Sequence, residues 1–289
     1  MFGDACEKAM KFTRPVITST RMYDGTVNCS CGAFIVLNDG GWILTAGHIF
    51  DSFRKYQEDS KKIKDIEEQN SRNTGRERPK VTIEPKWITN HSFWWGWDKV
   101  RLNDVFVDRK LDVAVGRLEP FNKKWITEYP VIKDPSKMRP GTSLCKLGFP
   151  FTKVTATFDE KMNSFRLADG TLPLPLFPME GMHTRNIAQG KSADGTIDAL
   201  YVETSSPGIR GQSGGPIFDR ECNICGIQLR TNHMPLDFKA ETKVDGKKVI
   251  ENQFINLGVG LHARSIVDIL RKRNIDFNLE GDTGYRIIS

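Results

Sequence analysis

Gly208-Ile209-Arg210-Gly211-Gln212-Ser213-Gly214-Gly215-Pro216 sets one hydroxyl among residues that carry no side chain. With bare backbone on both sides, a substrate can approach Ser213 and amide N–H groups can converge beside it. An acyl-transfer nucleophile needs both an exposed hydroxyl and donors for a developing oxyanion. The glycines also open backbone angles closed to other residues. Alone, the stretch reads equally well as an ordinary turn.

Two upstream segments decide between these readings. In Trp42-Ile43-Leu44-Thr45-Ala46-Gly47-His48, an apolar run of strand character ends in small residues and then a histidine, a general base delivered from a strand end. In Leu111-Asp112-Val113-Ala114-Val115, an acid leads into an apolar run. Such a carboxylate enters a buried setting, where it can fix an imidazole tautomer and stabilise the imidazolium. A lone histidine is usually structural, and an aspartate before a strand is usually a turn residue. The three together, in the order His48, Asp112, Ser213, carry the weight.

TAGH, LDVAV and GQSGGP resemble the three signatures of chymotrypsin-fold serine peptidases, in that fold's chain order. The similarity spans roughly residues 28 to 275, and its character is closest to bacterial HtrA-like and trypsin-like peptidase domains without a PDZ domain. It implies an all-β fold of two six-stranded antiparallel barrels, with a C-terminal α-helix and a charged helical or loop insertion after His48. The implied organisation is an N-terminal segment over 1–27, a barrel over 28–120 with the insertion at 50–80, and a linker over 121–141. A second barrel follows over 142–262, then a helix and tail over 263–289. Catalysis would fall to His48, Asp112 and Ser213, with the N–H groups of Gly211 and Ser213 as oxyanion hole. Substrate would meet Pro207, Gly208, Arg210, Gln228, Leu229 and Arg230. Pro207 stands where trypsins have an aspartate, which disfavours tryptic specificity and leaves a small or apolar residue before the scissile bond as the expectation. Gln228 stands where some relatives place a pocket histidine; it reads either as a substrate contact or as a side chain bonded only to backbone. Gln212 stands where zymogen-activated trypsins have an aspartate that pairs with a freshly cut N-terminus, so no N-terminal cleavage is expected to be needed. A catalytically silent binding module of the same fold is the competing reading.

Composition agrees with a globular enzyme. With 38% apolar and 27% charged residues the chain reads as an ordinary soluble globule, amply sized for a core. The formal charge of +6 is mild, and nucleic acid is not an expected partner. Met1 to Pro15 carries Asp4, Glu7, Lys8 and Lys11 with no apolar core of a secretory signal. Nor does any stretch approach the roughly 20 apolar residues of a membrane span. A cytoplasmic protein acting on a protein or peptide substrate, without metal or cofactor, is the expectation. Cysteine usage points the same way: Ile49 and Ile209 occupy positions that secreted relatives often give to bridged cysteines. Cys29-x-Cys31 and Cys222-x-x-Cys225 leave three readings open: unligated thiols, a redox-sensitive pair, or a zinc site with poor spacing.

Outward from these motifs, Asn38-Asp39-Gly40 reads as a hairpin turn between strands 33–37 and 41–46. From Phe50 to Lys80 the chain is charge-dense, with apolar residues loosely spaced for a helix resting one side on the body, then a loop over Asn70–Pro79. That insertion is either a solvated element or a gating or regulatory-partner surface. The aromatic cluster His91 to Trp97 reads as a barrel cap, with His91 structural. Ser265 and Asp268 form a capping-box pattern ahead of a C-terminal helix ending in Arg271, Lys272 and Arg273.

Overall fold

The computed structural model describes residues 1–72, 80–244 and 247–282. A short helix, α1 (Gly3–Phe12), leads into β1 (Thr13–Met22), β2 (Val27–Val36) and β3 (Trp42–Ala46). One 3-10 turn, Gly47–Phe50, then delivers the chain to α2 (Asp51–Arg72), and β4 (Ile88–Trp95), β5 (Arg101–Asp108) and β6 (Val113–Glu119) follow. These six strands make one antiparallel sheet in the order β4-β1-β2-β3-β6-β5. The sheet curls on a core in which Phe34, Ile35 and Val36 are successive residues and all fully buried. A flat one-sided sheet would expose every second one. The β2–β3 hairpin closes as expected, with the Asn38 carboxamide oxygen accepting the Gly40 N–H at 3.0 Å.

The remaining strands are β7 (Val131–Ile132), β8 (Ser143–Gly148), β9 (Ala156–Asp159), β10 (Ser164–Leu167), β11 (Phe177–Lys191), β12 (Asp198–Thr204), β13 (Pro216–Phe218), β14 (Asn223–Val244), β15 (Lys247–His262) and β16 (Asn278–Leu279). Six of them close a ring, β13-β8-β11-β12-β15-β14, because β13 pairs with both β8 and β14. β7 and β16 add a short parallel ribbon to the start of β14. The fold is therefore mostly β and chymotrypsin-like, two curled antiparallel sheets side by side.

Four details depart from the sequence expectations. β1 lies inside the first sheet, paired with β2 and β4, so that sheet begins at residue 13 rather than at 28. Asn70 to Arg72 belong to α2 rather than to a loop, and the rest of the expected loop, residues 73–79, lies outside the described residues. The C-terminal helix, α3 (Ala263–Lys272), is capped by His262, whose Nδ1 accepts the Arg264 N–H at 3.0 Å. Ser265 is instead drawn into β12, accepting the Leu200 N–H and donating to the Asp198 carbonyl. Finally, β14 and β15 run past the ring as a paired ribbon bearing exposed Met234, Leu236, Phe238 and Phe254. No described helix is long and apolar enough to cross a membrane.

α1 fastens the N-terminus to the second sheet. Its buried face is Ala5, Cys6, Ala9 and Phe12, and Phe2 ahead of it meets Phe218 of β13 edge to face, ring centroids 6.1 Å apart. The Cys6 and Cys145 sulfurs touch at 3.9 Å without bonding. Phe218→Ala is expected to cost about 3–5 kcal/mol of unfolding free energy, since it empties a fully buried ring site between helix and barrel. Urea denaturation of the two proteins measures the difference.

Candidate active site

β3 ends in buried Thr45 and Ala46, and Ala46 pairs with Val113 at the start of β6. The register fixes what comes next on each strand. Gly47 donates its N–H to the Asp112 carbonyl at 2.9 Å, and a Cβ at Gly47 would stand 2.9 Å from the Val113 nitrogen. Only glycine lets the histidine turn lie this close. Asp112, held at φ +56°, turns its carboxylate back onto that turn. Its Oδ1 accepts the His48 backbone N–H at 2.7 Å, and His48 Nδ1 lies 2.9 Å from Oδ2 and 3.1 Å from Oδ1. With Nδ1 donating, Nε2 is the ring's acceptor, the tautomer a general base requires. Hydrogen bonding to Asp112 raises the His48 pKa above its ordinary value, against the opposing pull of burial.

The Asp112 loop is itself anchored. Buried Asp108 accepts the N–H groups of Lys110 and Leu111 at 3.0 Å on one oxygen and that of Ala193 at 2.8 Å on the other. Tyr201 of the second sheet donates its hydroxyl to the Lys110 carbonyl at 3.1 Å. The acid beside His48 is thus positioned from both sheets.

The loop carrying Ser213 is held almost wholly by backbone. Gln228 exchanges bonds with Gly214 and Gly215, each 2.8 Å, and Phe149 donates to the Gly211 carbonyl at 2.9 Å. Gly211 has φ +97° and lies against the Phe149 backbone, so both conformation and space demand glycine. Ala33 of β2 donates to the Ser213 carbonyl at 2.8 Å, and a Cβ added at neighbouring Gly32 would stand between that carbonyl and the Ile49 side chain. The serine is therefore brought to the residue that follows His48. Among the described residues no hydrogen bond joins the Ser213 hydroxyl to His48, and the N–H groups of Gly211 and Ser213 bond to nothing. Gln212 is fully buried and turned into its own loop, its side-chain oxygen accepting the Ile209 N–H at 3.0 Å.

Pro207, Gly208, Arg210, Gln228, Leu229 and Arg230 all line one cavity of about 490 Å³ together with Ser213. Gln228 reaches beneath Gly208 and spends its Nε2 on the carbonyls of Arg230 and Val259, at 2.8 and 3.1 Å. Arg230 stacks its guanidinium on Tyr201, 4.9 Å from the ring centroid. The cavity wall has a support that sequence reading missed. Lys146 of β8 is buried and donates to the carbonyls of Ser206 and Pro207 at 2.7 and 2.6 Å and to the Thr204 hydroxyl at 3.2 Å. Burial pulls its pKa down to about 7. The signal was a lysine inside the apolar run Leu144-Cys145-Lys146-Leu147. Thr231, at the end of the strand expected to line the pocket, also lines the cavity, and its hydroxyl both accepts from and donates to Gly208.

The two cysteine pairs sit in different sheets, Cys29 and Cys31 in β2 and Cys222 and Cys225 around the start of β14. Among the described residues no three His, Cys, Asp or Glu side chains gather to hold a metal. His91 lies 3.0 Å from the Ser52 hydroxyl, against Tyr56 and Phe93, with burial pushing its pKa down to about 4.

Residues 30–227 match the family model described as trypsin-like peptidase domain. The chain belongs to that family. No curated protein matches the chain. Among solved structures it is similar to the Rv3671c protease from M. tuberculosis in its active form, at 12% identity over 95% of this chain and 86% of that one, with a TM-score of 0.51. It is also similar to the HtrA-type protease variant AlgWS227A with a decapeptide, at 11% identity over 95% of this chain and 68% of that one, TM-score 0.51. At these identities the likeness is one of fold. With Asp112 as the acid that orients a catalytic His48, Asp112→Asn is expected to lower kcat by about 10⁴, because Nδ1 loses the partner that fixes its tautomer. With His48 as the general base, the acid limb of kcat/KM in the parent should lie above the ordinary imidazole value, because the His48 pKa is raised. In Asp112→Asn that limb should move to lower pH. Both are read from pH–rate profiles.

Proposed function

We propose that the protein is a serine endopeptidase working through His48, Asp112 and Ser213. The observation that carries this reading is the bidentate grip of Asp112 on His48 beside a serine whose carbonyl is bonded to β2. His48 Nε2 takes the Ser213 proton as the hydroxyl attacks a peptide carbonyl, forming a tetrahedral adduct. The same nitrogen then protonates the leaving amine, which departs and leaves an acyl-enzyme; water repeats the sequence and frees the serine. Asp112 holds the ring and stabilises the imidazolium at each stage. The unbonded N–H groups of Gly211 and Ser213 suit the oxyanion, a contribution of about 10²–10³ in rate per donor.

The cavity beside Ser213 suggests a small or apolar residue before the scissile bond. Gln228 spends its amide donor on backbone, and Pro207 brings no charge. Gln212 serves its own loop, which favours activity without a new N-terminus. All six cysteines are free thiols, which suits a reducing compartment such as the cytoplasm.

A fluorophosphonate probe is expected to label the full, untrimmed chain on Ser213 and to leave Ser213→Ala unlabelled. Turnover of a peptide library by the variant should fall by about 10⁶. Equal labelling of the variant, or equal cleavage by it, overturns the reading. An unlabelled, inert parent points instead to a silent binding module.

A further inference from the structure

Between α2 and β5 lies a cavity of about 520 Å³ on the far side of the His48 turn. Its size falls within the roughly 300–1,000 Å³ of small-molecule sites. One wall is a helical stripe: Phe50, Phe53, Arg54 and Gln57 recur at the spacing of a single helix face. The opposite wall is β5, where Val105 and Val107 stand between Arg101 and Arg109. Phe93 and Trp95 form the floor, packed on Phe50 with ring centroids 5.2 and 5.9 Å away.

Helix and strand do not close on one another here. α2 is tied to β4 through Asp59, which is 1% exposed and accepts the Ile88 N–H at 3.0 Å; it is the helix's one buried residue. The apolar walls are left open to solvent, with Phe53 37% and Val105 43% exposed. A cleft lined this way favours a ligand with a hydrocarbon body.

The rim selects the head group. Asp51 is the cavity's single acid, and it is already engaged, 3.1 Å from Arg109 and 3.8 Å from Arg54. Arg54 also reaches Glu58 at 3.3 Å. Arg101 is exposed and takes part in no ion pair among the described residues. Glu119, opposite Arg101 in the β5–β6 register, has its carboxylate bonded to Asn103, and a guanidinium beside an apolar bed suits a carboxylate at the end of an apolar chain and repels a cationic one.

We propose that this cavity binds an amphiphilic monocarboxylate, its hydrocarbon body between Phe53 and Val105 over the aromatic floor and its carboxylate on Arg101. The site is separate from the cleft beside Ser213 and does not depend on the peptidase reading.

Dodecanoate, kept below micelle formation, serves as the probe. Calorimetric titration of the full chain is expected to saturate with a Kd below about 1 mM. Arg101→Glu should weaken binding about tenfold or more, since a repulsion replaces an attraction, while Arg101→Lys stays near the parent. Val105→Trp, which fills the cleft, should abolish binding. Dodecyltrimethylammonium, with the same tail and the opposite charge, should bind at least about tenfold more weakly than dodecanoate. Melting temperature and peptide hydrolysis of the two Arg101 variants should match the parent. No saturation up to about 1 mM, equal affinity for the cationic amphiphile, or dodecanoate binding indifferent to Arg101→Glu overturns the proposal.

Discussion

Ala33 donates its N–H to the carbonyl of Ser213, and that bond crosses from the first sheet to the loop of the second. It forms because nothing stands in the way. A Cβ at Gly214 would overlap the Ala33 carbonyl and the Thr45 hydroxyl, which themselves bond at 2.7 Å. A Cβ at Gly215 would overlap the Leu147 carbonyl on the other side. The two glycines after the serine therefore let backbone from both sheets close on one loop. Side chains settle among rotamers, whereas a backbone bond between sheets leaves little play. Groups that must meet within tenths of an ångström are best hung from the latter.

The same junction governs charge. His48 and Asp112 are half-exposed at the cleft, so their mutual bond is screened on one face and firm on the other. What keeps Asp112 in place is the buried carboxylate of Asp108, spent wholly on backbone N–H groups from both sheets. Lys146 plays the corresponding part beside the Ser213 cavity. Burial disfavours its charged form and pulls its pKa down to about 7, and three oxygens take its donors. Two of these are the successive carbonyls of Ser206 and Pro207, so a buried amine fixes the backbone that leads into the cavity wall.

The candidate triad was legible because each member sits where an apolar strand begins or ends. TAGH and LDVAV become neighbours once β3 pairs with β6, and the SGG run states its own need for bare backbone. What escaped reading is what depends on contacts distant in the chain. β1 buries Thr18, Ser19 and Thr20, a polar run with none of the Val and Ile alternation that marks a strand. The hydroxyl of Ser265 looked like a helix cap, yet β12 supplies a nearer N–H and carbonyl, so His262 caps the helix instead. The β14–β15 ribbon mixes charged and apolar residues without period, and only its pairing reveals it. Lys146 and Asp108 are polar residues at points where the strand pattern calls for apolar ones. Such mismatches mark positions where the fold needs a bond rather than a surface.

α2, which begins three residues after His48, shows how an insertion can be accommodated beside the histidine turn. A helix that buried a full apolar stripe against β4 and β5 would press on the Gly47–Phe50 turn, and any shift there would move His48 against Asp112. Instead the helix meets the barrel through an aromatic cluster at its base and through one carboxylate, Asp59, farther along. The carboxylate bond is directional and satisfies a strand N–H, so it fixes the helix axis without needing the cleft between helix and β5 to collapse. Exposed apolar walls are the consequence: α2 is held at its base and at Asp59, and the cleft between it and β5 stays open behind the Gly47–Phe50 turn.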